Sequence, residues 1–457
     1  HGLVTGVQTC ALPISVLKDA ASASIYGARA ANGVILVTTK MGQEGKVNLE
    51  YSGNYGIHSP TKMFELVTNS AEYMELYNEA RINSGLNTGL YTQEMINAYR
   101  NATDRNLFPN TDWLDLLFNP APTQTHNLSF NGGSNGTTFN VSIGYVDQQG
   151  VMKGFDYKRY NIRLNLSSRV NDNIRFGGNF SVKKGEKVAP RQGGTDTFLA
   201  TMSQPPTYSP WLSDGSGRYT FKSYDFENNN KNPIAIIENK VNRNTDDYAI
   251  SSQGWVDVLF NKNLNWYTKA AMNLDFSKYD DFRPQIPLYN YRTNQFMTYL
   301  DVGGEGLLVQ DDQNVYTNLY SYLNYRNQFG SAHTVNAQIG FSMEENVYQY
   351  LRGYRKVYPK DNLRQLDAGS PSVQQSNGTM NEWALMSMFG RLGYNYKDRY
   401  LLETNLRYDG TSRLHSDLRW GIFPSFSAGW RVSEEQFFQA LKDRKSVVLG
   451  KSVDIGG

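Results

Sequence analysis

Long runs in which apolar and polar residues alternate one for one constrain this chain more than any other feature. Tyr160, Ile162, Leu164 and Leu166 take one face of such a run, while Asn161, Arg163, Asn165 and Ser167 take the other. A period of two is that of a strand, because successive side chains point to opposite sides of the pleat. The pattern recurs: Phe139, Val141, Ile143 and Tyr145 alternate with Asn140, Ser142 and Gly144. Val335, Ala337, Ile339 and Phe341 alternate with Asn336, Gln338 and Gly340. Further along, Leu264, Trp266, Ala270, Met272, Leu274 and Phe276 oppose Asn265, Tyr267, Lys269, Asn273 and Asp275. One face suits hydrocarbon and the other suits water.

Strand length separates two readings of that pattern. The runs last about 10 to 14 residues, against ~5 to 6 for a strand of a soluble sheet and ~9 to 11 for a tilted strand crossing a bilayer. Connections agree with the second reading. Short turns are expected near residues 132–135, 170–173, 261–263, 330–331 and 397–399, and longer connections at 147–157, 184–247, 278–314 and 346–382. Short and long alternate strictly, as the two ends of an antiparallel transmembrane barrel require. About eleven strands are expected, ending near residues 421–430. Ahead of them, residues 71–83 read as a helix capped by Ser70, with Tyr73, Met74, Tyr77 and Ala80 at helical spacing, and residues 93–101 as a second short helix. The Met/Tyr stripe is assigned to packing.

Composition excludes several classes of function. The 457 residues carry a net charge of +2, which is no nucleic-acid footprint. Cys10 is the only cysteine, so disulfide and thiolate–metal schemes are ruled out. The mean hydropathy is −0.55 and no apolar run approaches a helical membrane span, which leaves strand-based crossing open. His58, His126, His333 and His415 lie far apart, and no nucleophile elbow, phosphate loop or zinc-protease motif is present. No enzyme activity and no cofactor are therefore expected. Asp280-Asp281 and Asp311-Asp312 read as solvated loop charges rather than calcium ligands.

Three blocks carry more specific information. Residues 16–40 read VLKDAASASIYGARAANGVILVTTK, a small-residue helical turn followed, behind Asn32-Gly33, by a β-branched run that fits a buried strand. Taken alone, this suits any α/β unit. Residues 110–113 (NTDW) precede 121–129 (APTQTHNLS), and residues 408–413 (YDGTSR) precede 419–431 (RWGIFPSFSAGWR). In combination these blocks resemble SusC/RagA-type TonB-dependent outer-membrane transporters, the first block being similar to the end of their plug domain.

The resemblance implies an all-β fold: an antiparallel outer-membrane β-barrel of ~22 strands, about half of it present, with the C-terminal part of an α+β plug. Residues 16–46 are then plug, 47–124 a plug-to-barrel transition with the first strand, and 125–443 a partial barrel. Residues 1–15 and 444–457 read as adapter-like and non-native. Lys18, Asp19, Tyr26, Gly27, Arg29, Asn32 and Gly33 form the structural plug motif. The implied function is import of oligosaccharides or peptides, driven by the TonB complex through a contact outside this chain. A SusD-like surface lipoprotein is the implied partner, outer-membrane lipid the surroundings, and no nucleic acid is involved.

Loop aromatics Tyr208, Trp211, Tyr289 and Tyr354 are the candidate substrate contacts, since such rings stack on sugar faces and peptide groups. Trp420, Phe423 and Trp430 suit an aromatic girdle at the membrane interface. On this reading Leu164→Arg impairs assembly and Asn165→Arg is tolerated. The alternative is a soluble β-rich glycan-binding or adhesin module, which needs strands of sandwich length.

Overall fold

A computed structural model describes residues 11–18, 32–190, 193–227, 231–239, 241–300, 305–360 and 362–439. Strands β1 (Ala11–Leu17) and β2 (Val34–Thr39) form an antiparallel ribbon with Leu17 opposite Val34. The boundary expected after residue 15 therefore falls inside a strand. Strand β3 (Gly45–His58) leads into an insertion holding helices α1 (Ser70–Asn83), α2 (Gln93–Arg100) and α3 (Trp113–Leu117).

Next come β4 (Ala121–Ser134), β5 (Thr137–Gln149), β6 (Asp156–Arg169) and β7 (Ile174–Pro190). A long connection then carries α4 (Gly193–Met202), β8 (Tyr219–Lys222) and α5 (Pro233–Glu238). Strands β9 (Asn242–Asn261) and β10 (Leu264–Arg283) are followed by the short β11 (Pro287–Asn290) and β12 (Phe296–Tyr299). The last set is β13 (Gly306–Phe329), β14 (His333–Arg355), β15 (Gln374–Tyr396), β16 (Tyr400–Thr411) and β17 (Trp420–Trp430).

Twelve of these strands make one sheet in the order β17-β16-β15-β14-β13-β10-β9-β7-β6-β5-β4-β3, open at β3 and β17. Eleven of them, β4 onward, are those the alternation predicts, and β3 adds the twelfth. The strands are longer than expected: β13 has 24 residues and β14 and β15 have 23 each. Pairing of β10 with β13 continues to Arg283 opposite Gly306, well into what reads as loop sequence. The reason is physical. Once a strand leaves hydrocarbon, both of its faces meet water or other protein, so the ladder persists while the alternation that reveals it stops.

Exposure follows the two-face assignment. On the apolar face Ile162 is 49%, Leu164 37%, Met272 42% and Ile339 67% exposed, whereas Asn165, Asn140 and Ser142 of the polar face are buried. Phe423 departs from expectation. It pairs with Arg407 and shares the polar face, because Ile422, Phe426 and Trp430 occupy the alternate positions. Trp420 does stand on the apolar face, stacked on Tyr408 at 4.8 Å.

Every short connection lies at one end of the sheet. Asn135 and Gly136 both have positive φ (52° and 76°), as a two-residue type I′ hairpin demands. The turn thus sits just beyond the expected 132–135, and Gly132 and Gly133 belong to β4. The insertion and the long connections meet at the opposite end in a packed cap. Its small sheet, β12-β11-β8, contributes Leu288 of β11 to a core with Ala235, Ile236, Val241 and Ile286. A second cluster joins Met74, Ile96 and Tyr99 of the helices to Tyr91 of the turn between them. Asn69, not Ser70, caps α1, accepting from the backbone of Ala71 and Glu72. Ser70 is buried and donates from Oγ toward Pro109 and Pro206, which ties the helix to the segment before α3 and to the connection between β7 and β9.

Candidate functional site

The polar face carries the plug strand. Asn165 of β6 is 1% exposed, and its Nδ2 donates to the carbonyl of Lys40 at 2.7 Å, just after β2 ends. The chain then passes to β3 along the short-turn end. Gln43 N donates to Asn131 Oδ1 at 3.0 Å, and Glu44 Oε1 accepts from Gly136 N at 2.9 Å, so the linker is tied to the β4–β5 hairpin. Between these ties, a Cβ added to Gly42 would stand 2.3 Å from the backbone nitrogen of Phe139. Only glycine permits so close an approach.

This geometry corrects the tolerance expected at position 165. Arginine there would bury a guanidinium where the plug strand lies, so Asn165→Arg is expected to displace that strand, and Asn165→Ala to cost about 1 kcal/mol through the lost bond to Lys40. Hydrogen exchange at residues 34–44 of the full-length protein measures both, with the arginine variant the more strongly deprotected. Of the plug motif, Asp19, Tyr26, Gly27 and Arg29 lie outside the described residues. Lys18 is exposed, and Gly33 holds φ of +89° at the start of β2, where a Cβ would come 2.9 Å from the Leu17 carbonyl.

The four loop aromatics are placed differently from one another. Tyr208 is fully buried, edge-on to Trp113 at 5.6 Å with its hydroxyl donating to Gln204 at 3.0 Å, so it is core and offers no contact surface. Its neighbours in the cap explain this: Trp113 of the NTDW block donates from Nε1 to the carbonyl of Pro205, closing the loop over it. Trp211 is half-buried and donates from Nε1 to Glu238 at 3.0 Å. Tyr289 is half-buried beneath the Arg218 guanidinium, 4.6 Å from its ring. Tyr354, on β14, donates to the carbonyl of Glu305 at 2.8 Å. Trp211 and Tyr289 share the cap, and Tyr354 stands apart from them.

One residue missed in the sequence organises the cap. Glu227 is buried, and its carboxylate accepts from Tyr91 Oη (2.8 Å), Thr207 Oγ1 (2.7 Å), Ser223 N (2.7 Å) and Tyr224 N (3.0 Å). A lone glutamate in a loop gives no sequence signal for such a role. Nearby phenols resist ionisation: burial, with Glu227 adding to it, pushes Tyr91 far above its usual range and Tyr73 from 10.0 up to about 12. Burial does the same to Tyr291, also to about 12. A raised folded-state pKa makes the cap's stability from these groups complete below pH 10 and lost as pH rises through about 12. Tyr73→Phe with Tyr291→Phe is therefore expected to remove a component of tyrosinate absorbance that titrates near pH 12; its appearance near pH 10 contradicts the assignment.

Two of the histidines are held by tyrosines. His126 Nδ1 lies 2.8 Å from Tyr51 Oη and His333 Nδ1 lies 2.7 Å from Tyr394 Oη. Among the described residues no three His, Cys, Asp or Glu side chains converge as a metal site. Of the acidic pairs, Asp280 accepts from Asn244 at 3.0 Å and Asp312 from Tyr348 at 2.6 Å, both as strand residues of the wall.

Comparison with known proteins agrees with this architecture. The chain is 27% identical over 451 residues to the TonB-dependent receptor SusC of Bacteroides thetaiotaomicron, covering 94% of this chain and 41% of that protein. TonB-dependent receptor P26 of Formosa agariphila is 28% identical over 434 residues, with 93% and 41% covered. The chain thus spans about two fifths of the length of these curated relatives. No family model matches it. Among solved structures, the RagAB peptide importer in its open-open state superposes with a TM-score of 0.76 at 23% identity, over 94% of this chain and 49% of that one. The ferric citrate transporter FecA superposes with a TM-score of 0.52 at 10% identity, over 92% and 47%. With a plug strand tied to the polar face of a twelve-stranded wall, the chain is similar in sequence and in fold to a stretch of the SusC/RagA-type TonB-dependent receptors.

Proposed function

We propose that the protein to which this chain belongs imports nutrients, oligosaccharides or peptides, across the outer membrane in a TonB-dependent manner, together with a SusD-like surface lipoprotein. The observation that carries this is the pairing of an apolar outer face with a polar inner face on which the plug strand is fixed through Lys40, Gly42 and Glu44. A plug anchored at the short-turn end can be pulled from the periplasm while the wall stays in place. The cap at the other end, with Trp211 and Tyr289 half-exposed, supplies contacts for substrate or lipoprotein, and Tyr354 a further one on the wall. The test is fractionation of the full-length protein expressed with its own signal sequence. A heat-modifiable band in the outer membrane, and loss of growth on a glycan or peptide source on deletion, support the proposal. A soluble folded protein overturns it in favour of a β-rich binding module.

A further inference from the structure

The apolar face of the sheet carries a groove of about 720 Å³ over β10 and β13 to β17, on the side away from the plug strand. Strand register shows how it is made. Ala270, Leu319, Met343, Met386, Gly410 and Trp420 stand opposite one another in a single row across six strands. A Cβ on Gly410 would come 2.8 Å from the Trp420 indole, so glycine is what lets that ring lie down on the strand. There it stacks on Tyr408 at 4.8 Å and walls one end of the groove. Leu319, Met343 and Met386 are exposed along the middle.

One step toward the cap the lining changes character. Thr317, Glu345 and Ala384 hold the next outward positions on β13, β14 and β15, and Ser412 Oγ accepts from Ala384 N at 2.8 Å. Arg419 completes this rim from the connection between β16 and β17. Its carbonyl accepts from Thr411 N at 3.0 Å and its Nε donates to the carbonyl of Leu414 at 3.1 Å, so the exposed guanidinium is fixed in place. Within two residues the groove thus passes from thioether and indole to carboxylate, hydroxyl and guanidinium. It does so at the end of the apolar band that faces the long connections.

That gradient suits a molecule lying partly in hydrocarbon and partly in water. Methionines adapt to an acyl chain, and a guanidinium matches a phosphate in geometry and charge. Glu345 adds a requirement: the head group must also bring N–H or O–H donors, or its own anion is opposed by the carboxylate. A phosphorylated amino sugar with amide-linked chains meets both conditions. We propose that this groove binds a phosphorylated glycolipid of the outer leaflet, with phosphate on Arg419, sugar hydroxyl and amide donors on Glu345, and one acyl chain along Leu319, Met343 and Met386. The inference rests on the outer-membrane placement in the import reading and adds a membrane ligand to it.

The test is native mass spectrometry of the full-length protein released from detergent after incubation with equal amounts of monophosphoryl lipid A, phosphatidylglycerol and phosphatidylethanolamine. The native sequence is compared with Arg419→Gln and with Ala270→Phe, which fills the groove with an apolar ring that a lipid-facing position accepts. The lipid A adduct is expected to exceed either phospholipid and to fall at least about tenfold in each variant, with the heat-modifiable band retained. Where Ala270→Phe fails to assemble, Arg419→Gln at the exposed rim decides alone. The proposal is overturned by equal retention of the three lipids, by preference for a phospholipid, by an undiminished lipid A adduct in Arg419→Gln, or by a second copy of the chain held on this face in place of lipid. Failure of the native protein to fractionate as an outer-membrane barrel counts against the import reading itself, and is read before any lipid is added.

Discussion

Leu164→Arg is expected to abolish assembly of the full-length protein in the outer membrane. Leu164 lies mid-strand on β6 between Val141 and Phe180 and is 37% exposed on the apolar face, beside Ile162 at 49%. A guanidinium on a lipid-facing barrel position costs about 2–4 kcal/mol near the midplane. Domains are stable by only about 5–15 kcal/mol, and assembly has to carry the charge into lipid at an early stage. Asn336→Glu is the matched control: it places a charge on the polar face of β14 opposite Arg326 and is expected to assemble. The heat-modifiable band reports both, and equal yields for the two variants contradict the face assignment.

Glu227→Ala is expected to loosen the cap by about 3–5 kcal/mol while leaving the barrel wall folded. The substitution strips the acceptor from Tyr91, Thr207, Ser223 and Tyr224 together, and these donors come from the helical insertion and from the connection between β7 and β9. A buried donor left without an acceptor costs about 1–3 kcal/mol, and water entering the opened site offsets part of the sum. Limited proteolysis should cut near residues 84–92 and 205–227 in the variant and not in the native protein. Unaltered protection shows that the two segments pack without the carboxylate.

What the sequence revealed, and what it did not, follows from where each segment meets its solvent. In β6 and β14 hydrocarbon on one side and water on the other leave an alternation that gives both faces correctly, down to Leu164 and Ile339. Toward the cap, at residues such as Asp281 and Gln374, no such contrast exists, so the periodicity stops short of the strand ends. The chemistry of Phe423 suits a girdle, although two-residue counting from Trp430 sets it on the opposite face. Tyr208 sits in a loop sequence that suggests surface, because nothing in a linear sequence tells that Trp113, almost a hundred residues earlier, closes over it. Glu227 depends on juxtaposition across elements, and no local pattern encodes that.

The central claim is that one face of this sheet meets lipid and the other an aqueous interior, and spin-label accessibility along β14 tests it most directly. With every cysteine of the full-length protein first replaced, single cysteines at successive positions from 335 to 344 can each be labelled in membranes. The account predicts oxygen collisions at Val335, Ala337, Ile339, Phe341 and Met343, alternating with collisions of a water-soluble nickel complex, or burial against protein, at Asn336, Gln338, Gly340, Ser342 and Glu344. Uniform accessibility to the nickel complex along the strand, with no two-residue period, contradicts it.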